Sequence, residues 1–395
     1  MLAPAHVLHD FLPPKSAVSI RAPVDGLDWL PRDAVWLERY TGVPLSVAGD
    51  LPVVCHEAVV RPEALDLMAK AGLALPDRLV TYTGQREFEE RLRDLAAEDH
   101  RVYLSHPEPN PILAPDRYVV PMPVLRRLHD KAHLADIVPA EALPDRRILS
   151  AGEFGRLVEN GGLRTPIVVK ASAPLGSGAG IDVRICETPE ELEPARRELA
   201  AAERLVAERR YRFRRTVCLN YGIGSDGVSY LGAAEQICDA RGAYSGNWLD
   251  AADRPEAELV ESGRQAAEAG GAAGYRGILG VDAGLDEEGR PVLFDANFRI
   301  NGCTTQVLLS ESVATSWSRP CSRNLNALFR GDFAGMIEAL HRGVAGRSLV
   351  PLMVFDASAL PDSPPQPRCM LLIVGDSRED VGQRLEGLRD EGFEI

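Results

Sequence analysis

The run Ile278–Gly302, "ILGVDAGLDEEGRPVLFDANFRING", decides how this chain is read. Its second half interleaves Asp295, Asn297, Arg299 and Asn301 with Phe294, Ala296, Phe298 and Ile300. Successive side chains of a strand point to opposite faces. One face is therefore apolar, and the other carries an acid, an amide, a cation and a second amide in a row. "DEEG", ending in Gly289, reads as a hairpin turn. Folding about it brings Asp282 back beside Asp295. Asp295 and Asn297 then lie about 6–7 Å apart along one face. Three oxygen donors on adjacent strands suit Mg²⁺, which takes a few carboxylates plus substrate phosphates. Arg299 and Asn301, next in the row, are placed to steady developing negative charge. An isolated Asp-x-Asn is more often a solvated strand margin. The polar row, with a carboxylate partner across the turn, argues for a site.

The rest of the chain narrows the function. With 395 residues, 45% hydrophobic and 26% charged, it has the composition of a globular protein with room for a sizeable core. The net charge of −14 argues against nonspecific binding to nucleic acid or an anionic membrane, which needs a basic footprint. Any anion site must be a local basic concentration. The seven cysteines are scattered and none forms a CxxC pair, the usage of a reduced, cytoplasmic protein with buried thiols. No signal peptide is expected from "MLAPAHVLHDFLPPK", and no apolar run approaches the roughly 20 residues of a membrane span.

Along the chain, "LPVVCHEAVV", "DRLVTYT" and "RVYLSH" read as strands separated by the helices "RPEALDLMAKAGLALP" and "GQREFEERLRDLAAED", which predicts a parallel sheet. The Pro-rich "PEPNPILAPDRYVVPMP" reads as a boundary. "VLRRLHDKAHLADIV" reads as one helix. Ser150 with Glu153, and Thr188 with Glu191, are capping boxes that open helices. Antiparallel strands are expected from Thr216 to Leu249, helices over "NLNALFRGDFAGMIEALHRG", and a strand and a helix at the end.

Lys170 closes the apolar run "PIVVK" and precedes "ASAPLGSGAG". A lysine there reaches a phosphate as a point charge. Successive N–H groups around Gly176, Gly178 and Gly180 can cradle anionic oxygens. The order is not that of a Walker A loop, where the lysine follows the glycines. Lys131, alone on a helix, reads as solvated, and "RLVAERRYRF", with Glu208, as a plain strand. Taken in order, Lys131, Lys170, the glycine loop, Glu208, Asp282 and Asp295-x-Asn297-x-Arg299 resemble the ATP-grasp superfamily over residues 120–340. The tail "FRINGCTTQ" and "GAAEQI…GAYSGNWL" look most like the pheganomycin-type peptide ligases of secondary metabolism. The superfamily pattern has Glu where this chain has Asp295. A shorter carboxylate bridges two ions less readily, so the resemblance implies one or two Mg²⁺, with Mn²⁺ as a substitute.

The resemblance implies an α/β, more narrowly α+β, fold in four parts. A pre-ATP-grasp α/β domain with a short parallel sheet spans 1–120. A subdomain with the lysines and glycine-rich lid spans 121–207, and one with the metal hairpin spans 208–345, ATP lying between them. A strand–helix extension spans 346–395. It further implies Lys131 and Lys170 on the α- and β-phosphates, Ser177, Gly178 and Gly180 closing over the triphosphate, and Glu208, Arg209 and Arg210 flanking adenine. The acidic ribose partner of many relatives is replaced by Arg214 and Arg215. The implied chemistry is ATP-dependent activation of a carboxylate as an acyl phosphate, attack by an amine, and release of ADP and phosphate. Amino acids or peptides would be the substrates, and a homodimer is the family expectation. Arg276 is a candidate for orienting the substrate carboxylate, or a surface arginine at a turn. Gln236 is a candidate acceptor contact. His129 and His133, four apart without a third ligand, read as boundary residues. Two rival readings share the motifs: loading of a carrier-protein thiol, and a nucleotide-binding module without turnover.

Overall fold

Short apolar runs alternating with amphipathic helices build the first unit. The computed structural model describes residues 1–22, 34–175, 182–239, 242–360 and 364–395. Strands β1 (Ser16–Ser19), β2 (Val53–His56), β3 (Leu79–Tyr82) and β4 (Arg101–Leu104) form a parallel sheet in the order β3-β2-β1-β4. Every residue of β1 is buried. Its two serines hide it from a search for hydrophobic runs, so the sequence shows no strand there. The predicted helix from Val124 onward is instead two pieces. An α-helix, Met122–His129, stops at Asp130, and a 3₁₀ turn, Lys131–Asp136, follows. The Asp130 side chain accepts from Ala132 N, a local bond that competes with continued helix.

The second unit is a small antiparallel sheet of β5 (Arg146–Ser150), β6 (Ile167–Ser172), β7 (Val183–Cys186) and β8 (Arg204–Arg209), ordered β5-β8-β6-β7. Helices Ala151–Glu159 and Leu192–Glu198 supply buried residues to a core of its own. The predicted capping boxes at Ser150–Glu153 and Thr188–Glu191 are both formed, the second opening a 3₁₀ turn that runs into the helix.

The third unit is a large sheet of β9 (Val217–Gly224), β10 (Gly227–Cys238), β11 (Tyr244–Asp250), β12 (Gly277–Leu285), β13 (Pro291–Asn297), β14 (Cys321–Phe329), β15 (Leu349–Phe355), β16 (Arg368–Gly375) and β17 (Phe393–Glu394). Its order is β13-β12-β9-β10-β11-β14-β16-β15, with β17 on β14. "NLNALF", expected as helix, lies in β14. Leu325, Ala327 and Phe329 are buried and Asn326 is exposed, a period of two that an apolar-rich window conceals. The segment 346–395, expected as an extension, is integral to this sheet through the β14–β16 and β15–β16 pairs. All of β15 is buried. Asp356, just past it, donates its N–H to Ala58 O at 2.9 Å and pairs with Arg61 at 3.0 Å. The first and third units thus share one core, whereas the second keeps a separate one.

Candidate active site

The hairpin forms as its alternation requires. β12 and β13 pair with Asp282 directly opposite Asp295 and Gly280 opposite Asn297. A bulge follows, with Ala283 opposite Leu293, so Phe294 is the extra residue on β13. Its carbonyl accepts from Lys170 Nζ at 2.6 Å. Asn297 Nδ2 lies 3.5 Å from Asp282 Oδ2 and 3.4 Å from Asp295 Oδ2. The two carboxylates respond differently to one enclosure. Burial, then the charge of Asp295, pushes Asp282 up to about 7, although hydrogen bonds with Cys218 and Gln236 pull the other way. Burial also works upward on Asp295, but Lys131, Lys170 and Arg299 outweigh it and hold that carboxyl below its ordinary range. Burial depresses the Arg299 guanidinium, while Asp295, Asp182 and Asp282 pull it back.

This donor set fits a hard divalent cation. Facing buried carboxylates, one of them pushed up by burial and by the other's charge, favour a cation between them. The Asn297 amide, turned over, adds an oxygen. Among the described residues no group of three or more His, Cys, Asp and Glu side chains gathers as a metal cluster, so the candidate donors are two acids and an amide.

The lysines come from the second unit and its approach. Lys170, on β6, places Nζ 2.6 Å from Glu208 Oε2 on β8. Lys131 places Nζ 2.5 Å from Asp182 Oδ2. Behind them, Asp130 binds Arg204 and accepts from Ser172 Oγ, which fixes the turn that presents Lys131. Arg146, opposite Glu208 in register, lies 3.7 Å from its Oε1 and donates to Lys131 O. Sequence reasoning missed Asp130, Arg146 and Asp182. Each is an ordinary charge in its own segment and acquires meaning only through pairing distant in sequence. Ser177, Gly178 and Gly180 lie outside the described residues.

A cavity of about 640 Å³ runs between the sheets, lined by both lysines, Asp282, Asp295, Asn297 and Arg299. Glu208, Arg209 and Arg210 line it too, with Tyr211 and Phe213 following. Those rings stack at 6.2 Å, and Phe213 stacks on Phe294 at 5.4 Å. Gln236 lines the cavity beside Asp282. Asn301 does as well, but its amide is engaged: Nδ2 donates to Asn220 Oδ1 at 3.0 Å, and Oδ1 accepts from Cys303 N at 3.0 Å. Arg276 is not brought into the site. Its Nη1 donates to Gly271 O at 3.0 Å and Tyr275 O at 2.6 Å, neutralising carbonyls at the end of helix Ala257–Ala272. The histidine pair holds no ligand geometry. His133 Nδ1 meets Asp136 at 2.8 Å. His129 Nε2 meets Phe298 O at 3.2 Å, and burial, then Arg299, holds that imidazole down at about 3.

Two antiparallel sheets enclosing an acidic hairpin and paired lysines, after a parallel α/β unit, define an ATP-grasp enzyme. Solved structures share the fold. An ADP complex of the N5-carboxyaminoimidazole ribonucleotide synthetase PurK matches with a TM-score of 0.59 at 13% identity, over 96% of this chain and 97% of that one. The Thermus thermophilus synthetase matches with 0.59 at 14%, over 96% and 99%. An L-amino acid ligase from Bacillus licheniformis matches with 0.54 at 16%, over 96% and 98%. Sequence models identify the family. The N-terminal domain of L-aspartate–L-methionine ligase matches residues 7–126, and the ATP-grasp domain of that ligase matches residues 144–297. The chain belongs to the L-aspartate–L-methionine ligase family, and is an ATP-dependent, ADP-forming carbon–nitrogen ligase of amino acids. Among the described residues, no helix is long and apolar enough to cross a membrane.

Proposed function

We propose that the enzyme joins L-aspartate to L-methionine through an acyl phosphate formed in the cavity between the two antiparallel sheets, in the cytoplasm. One observation carries the phosphoryl-transfer chemistry, Asp282 and Asp295 facing each other across β12 and β13 with Lys131, Lys170 and Arg299 lining the same cavity; the two amino acids are those of the family whose models match. Lys131 and Lys170 bind the α- and β-phosphates, exchanging part of their contact with Asp182 and Glu208 for phosphate oxygens. Arg209 and Arg210, with the stacked rings beyond them, flank the base. Asp282, Asp295 and Asn297 would hold one or two Mg²⁺, or Mn²⁺. When bound, the metal supplies positive charge that screens the β- and γ-phosphates. Arg299 orients the carboxylate oxygen that attacks and then steadies the acyl phosphate. Gln236 holds Asp282 in place from β10, and Asn301 braces the wall through Asn220 and Cys303. Because phosphoryl transfer asks mainly for positioning and charge neutralisation, these contacts suffice for the first step. Enclosure between sheets keeps water from the acyl phosphate.

The test is a product balance with ATP, Mg²⁺, L-aspartate and L-methionine. ADP, phosphate and dipeptide in equal amounts are expected. AMP with pyrophosphate, or turnover that needs a carrier-protein thiol in place of methionine, would overturn the reading.

A further inference from the structure

An inner strand of the small sheet carries a carboxylate with a cation on each side. Glu208 on β8 stands directly opposite Arg146 on β5, and opposite Val168, two residues before Lys170, on β6. Residues two apart on a strand share a face, so both cations approach the carboxylate on one face of the sheet. They reach it unequally. Lys170 Nζ is 2.6 Å from Oε2. Arg146 Nη2 is 3.7 Å from Oε1, about 1 Å beyond a charge-assisted hydrogen bond. Nη2 donates instead to Lys131 O. Nε and Nη1 of Arg146, and Oε1 of Glu208, have no hydrogen-bond partner among the described residues. The Arg146 side chain is only 7% exposed and that of Glu208 3%. Burial depresses the Arg146 guanidinium, opposed first by the charge of Glu208. Buried donors and acceptors left without partners destabilise a fold, and here the two stand one small movement apart.

The half-made pair acquires a use when nucleotide binds. Lys170 then exchanges part of its contact with Glu208 for a phosphate oxygen. The carboxylate stays buried, and a buried charge that loses its partner is strongly destabilising. The other cation against it is Arg146, with two donors to spare. We propose that Arg146 is a positioning residue that receives the Glu208 carboxylate when Lys170 turns to phosphate, a role that rests on the nucleotide-binding reading above. As the structure stands, the carboxylate holds Lys170; with that lysine on phosphate, it holds Arg146. Glu208 thus remains ionised and paired in both arrangements, and the lysine is released without stranding a charge. Arg146 is itself fixed through Lys131 O, so the guanidinium that receives the carboxylate also braces the turn presenting the other phosphate lysine.

Isothermal titration with ADP and Mg²⁺ tests this role, because ADP carries the α- and β-phosphates and permits no turnover. Arg146→Gln is measured in two backgrounds, Glu208 and Glu208→Gln. With Glu208 present, Arg146→Gln should raise the ADP dissociation constant about tenfold or more, since the bound arrangement loses a hydrogen bond between charged groups. With Glu208→Gln no carboxylate needs a new partner, and the same change should alter the constant by less than about twofold. Arg146→Lys keeps the charge and loses the fork. Its effect should be smaller and again confined to the Glu208 background, which keeps the comparison decisive even if Arg146→Gln does not fold. An equal rise in both backgrounds would mean that Arg146 supports Lys131 or meets phosphate itself, and would overturn the proposal, as would an unchanged constant with Glu208 present. Failure of the unmodified enzyme to bind ADP, or equally tight binding by Lys170→Met, would instead overturn the nucleotide-binding reading, and this role with it.

Discussion

Lys170→Met preserves side-chain length and removes the charge. In the folded chain the Lys170 and Glu208 side chains are 7% and 3% exposed, and their charged atoms are 2.6 Å apart. The same ammonium donates to Phe294 O at 2.6 Å, so it joins the second unit to the bulge of the hairpin. Removing it strands a buried carboxylate, with Arg146 at 3.7 Å as a partial partner, and strips a carbonyl of its donor. Breaking a buried pair from one side costs about 3–5 kcal/mol, and Arg146 places the expected loss at the lower end, about 3 kcal/mol. A lysine that served phosphate alone could be removed without effect on unfolding. The double variant Lys170→Met/Glu208→Gln removes the stranded carboxylate, although Arg146 then loses its partner at 3.7 Å, and should recover part of the loss. Neither variant should release ADP. Equilibrium denaturant unfolding of the three proteins reads the difference through the midpoint at constant slope. A single variant with an unchanged midpoint, or a double variant as unstable as the single one, would refute the reasoning.

The remaining predictions concern charge, a hydroxyl and a glycine. In enzyme stripped of metal by a chelator, Asp282, pushed up to about 7, binds a proton in the native state that the unfolded chain has already lost. Its contribution should therefore weaken stability as pH rises from about 4, the ordinary carboxylate value, to 7. Asp282→Asn should abolish that slope in melting temperature against pH. His129, held at about 3, acts oppositely, because the unfolded chain takes up the proton first and stability falls as pH drops below about 6.5. The slope left in Asp282→Asn should carry that sign, and a falling slope there would contradict both assignments. Tyr103→Phe, which deletes a buried hydroxyl paired at 2.8 Å, should cost about 1 kcal/mol in denaturant unfolding. Gly246 has φ +131°, and a Cβ there would lie 2.1 Å from Asn324 O of the neighbouring strand. Gly246→Ala should break the β11–β14 pairing, and soluble protein melting like the unmodified chain would contradict this.

The hairpin was legible because its information is local. A period-two row, a turn ending in Gly289 and an acid across it fix register and face without reference to the rest of the molecule. The capping boxes were legible for the same reason. The bulge at Phe294 was not, since no residue there demands it, and with it went the attachment point of Lys170. Glu208 was expected beside adenine. It does line the cavity, but its carboxylate is committed to Lys170 through β6–β8 register that no local pattern encodes. Arg276 misled because a helix-end carbonyl and a substrate carboxylate attract the same cation. β1 and β14 escaped for opposite reasons: serines broke the hydrophobic run in one, and an apolar-rich window imitated a helix in the other.

The central claim is that the cavity behind Asp282 and Asp295 transfers a phosphoryl group to a carboxylate oxygen. L-Aspartate labelled with ¹⁸O in its carboxylates, turned over with ATP and L-methionine, tests it through the mass of the released phosphate. An acyl phosphate leaves one carboxylate oxygen on phosphate when the amine displaces it, so phosphate carrying a single ¹⁸O is the predicted product. Unlabelled phosphate, or label recovered in AMP, would contradict the account.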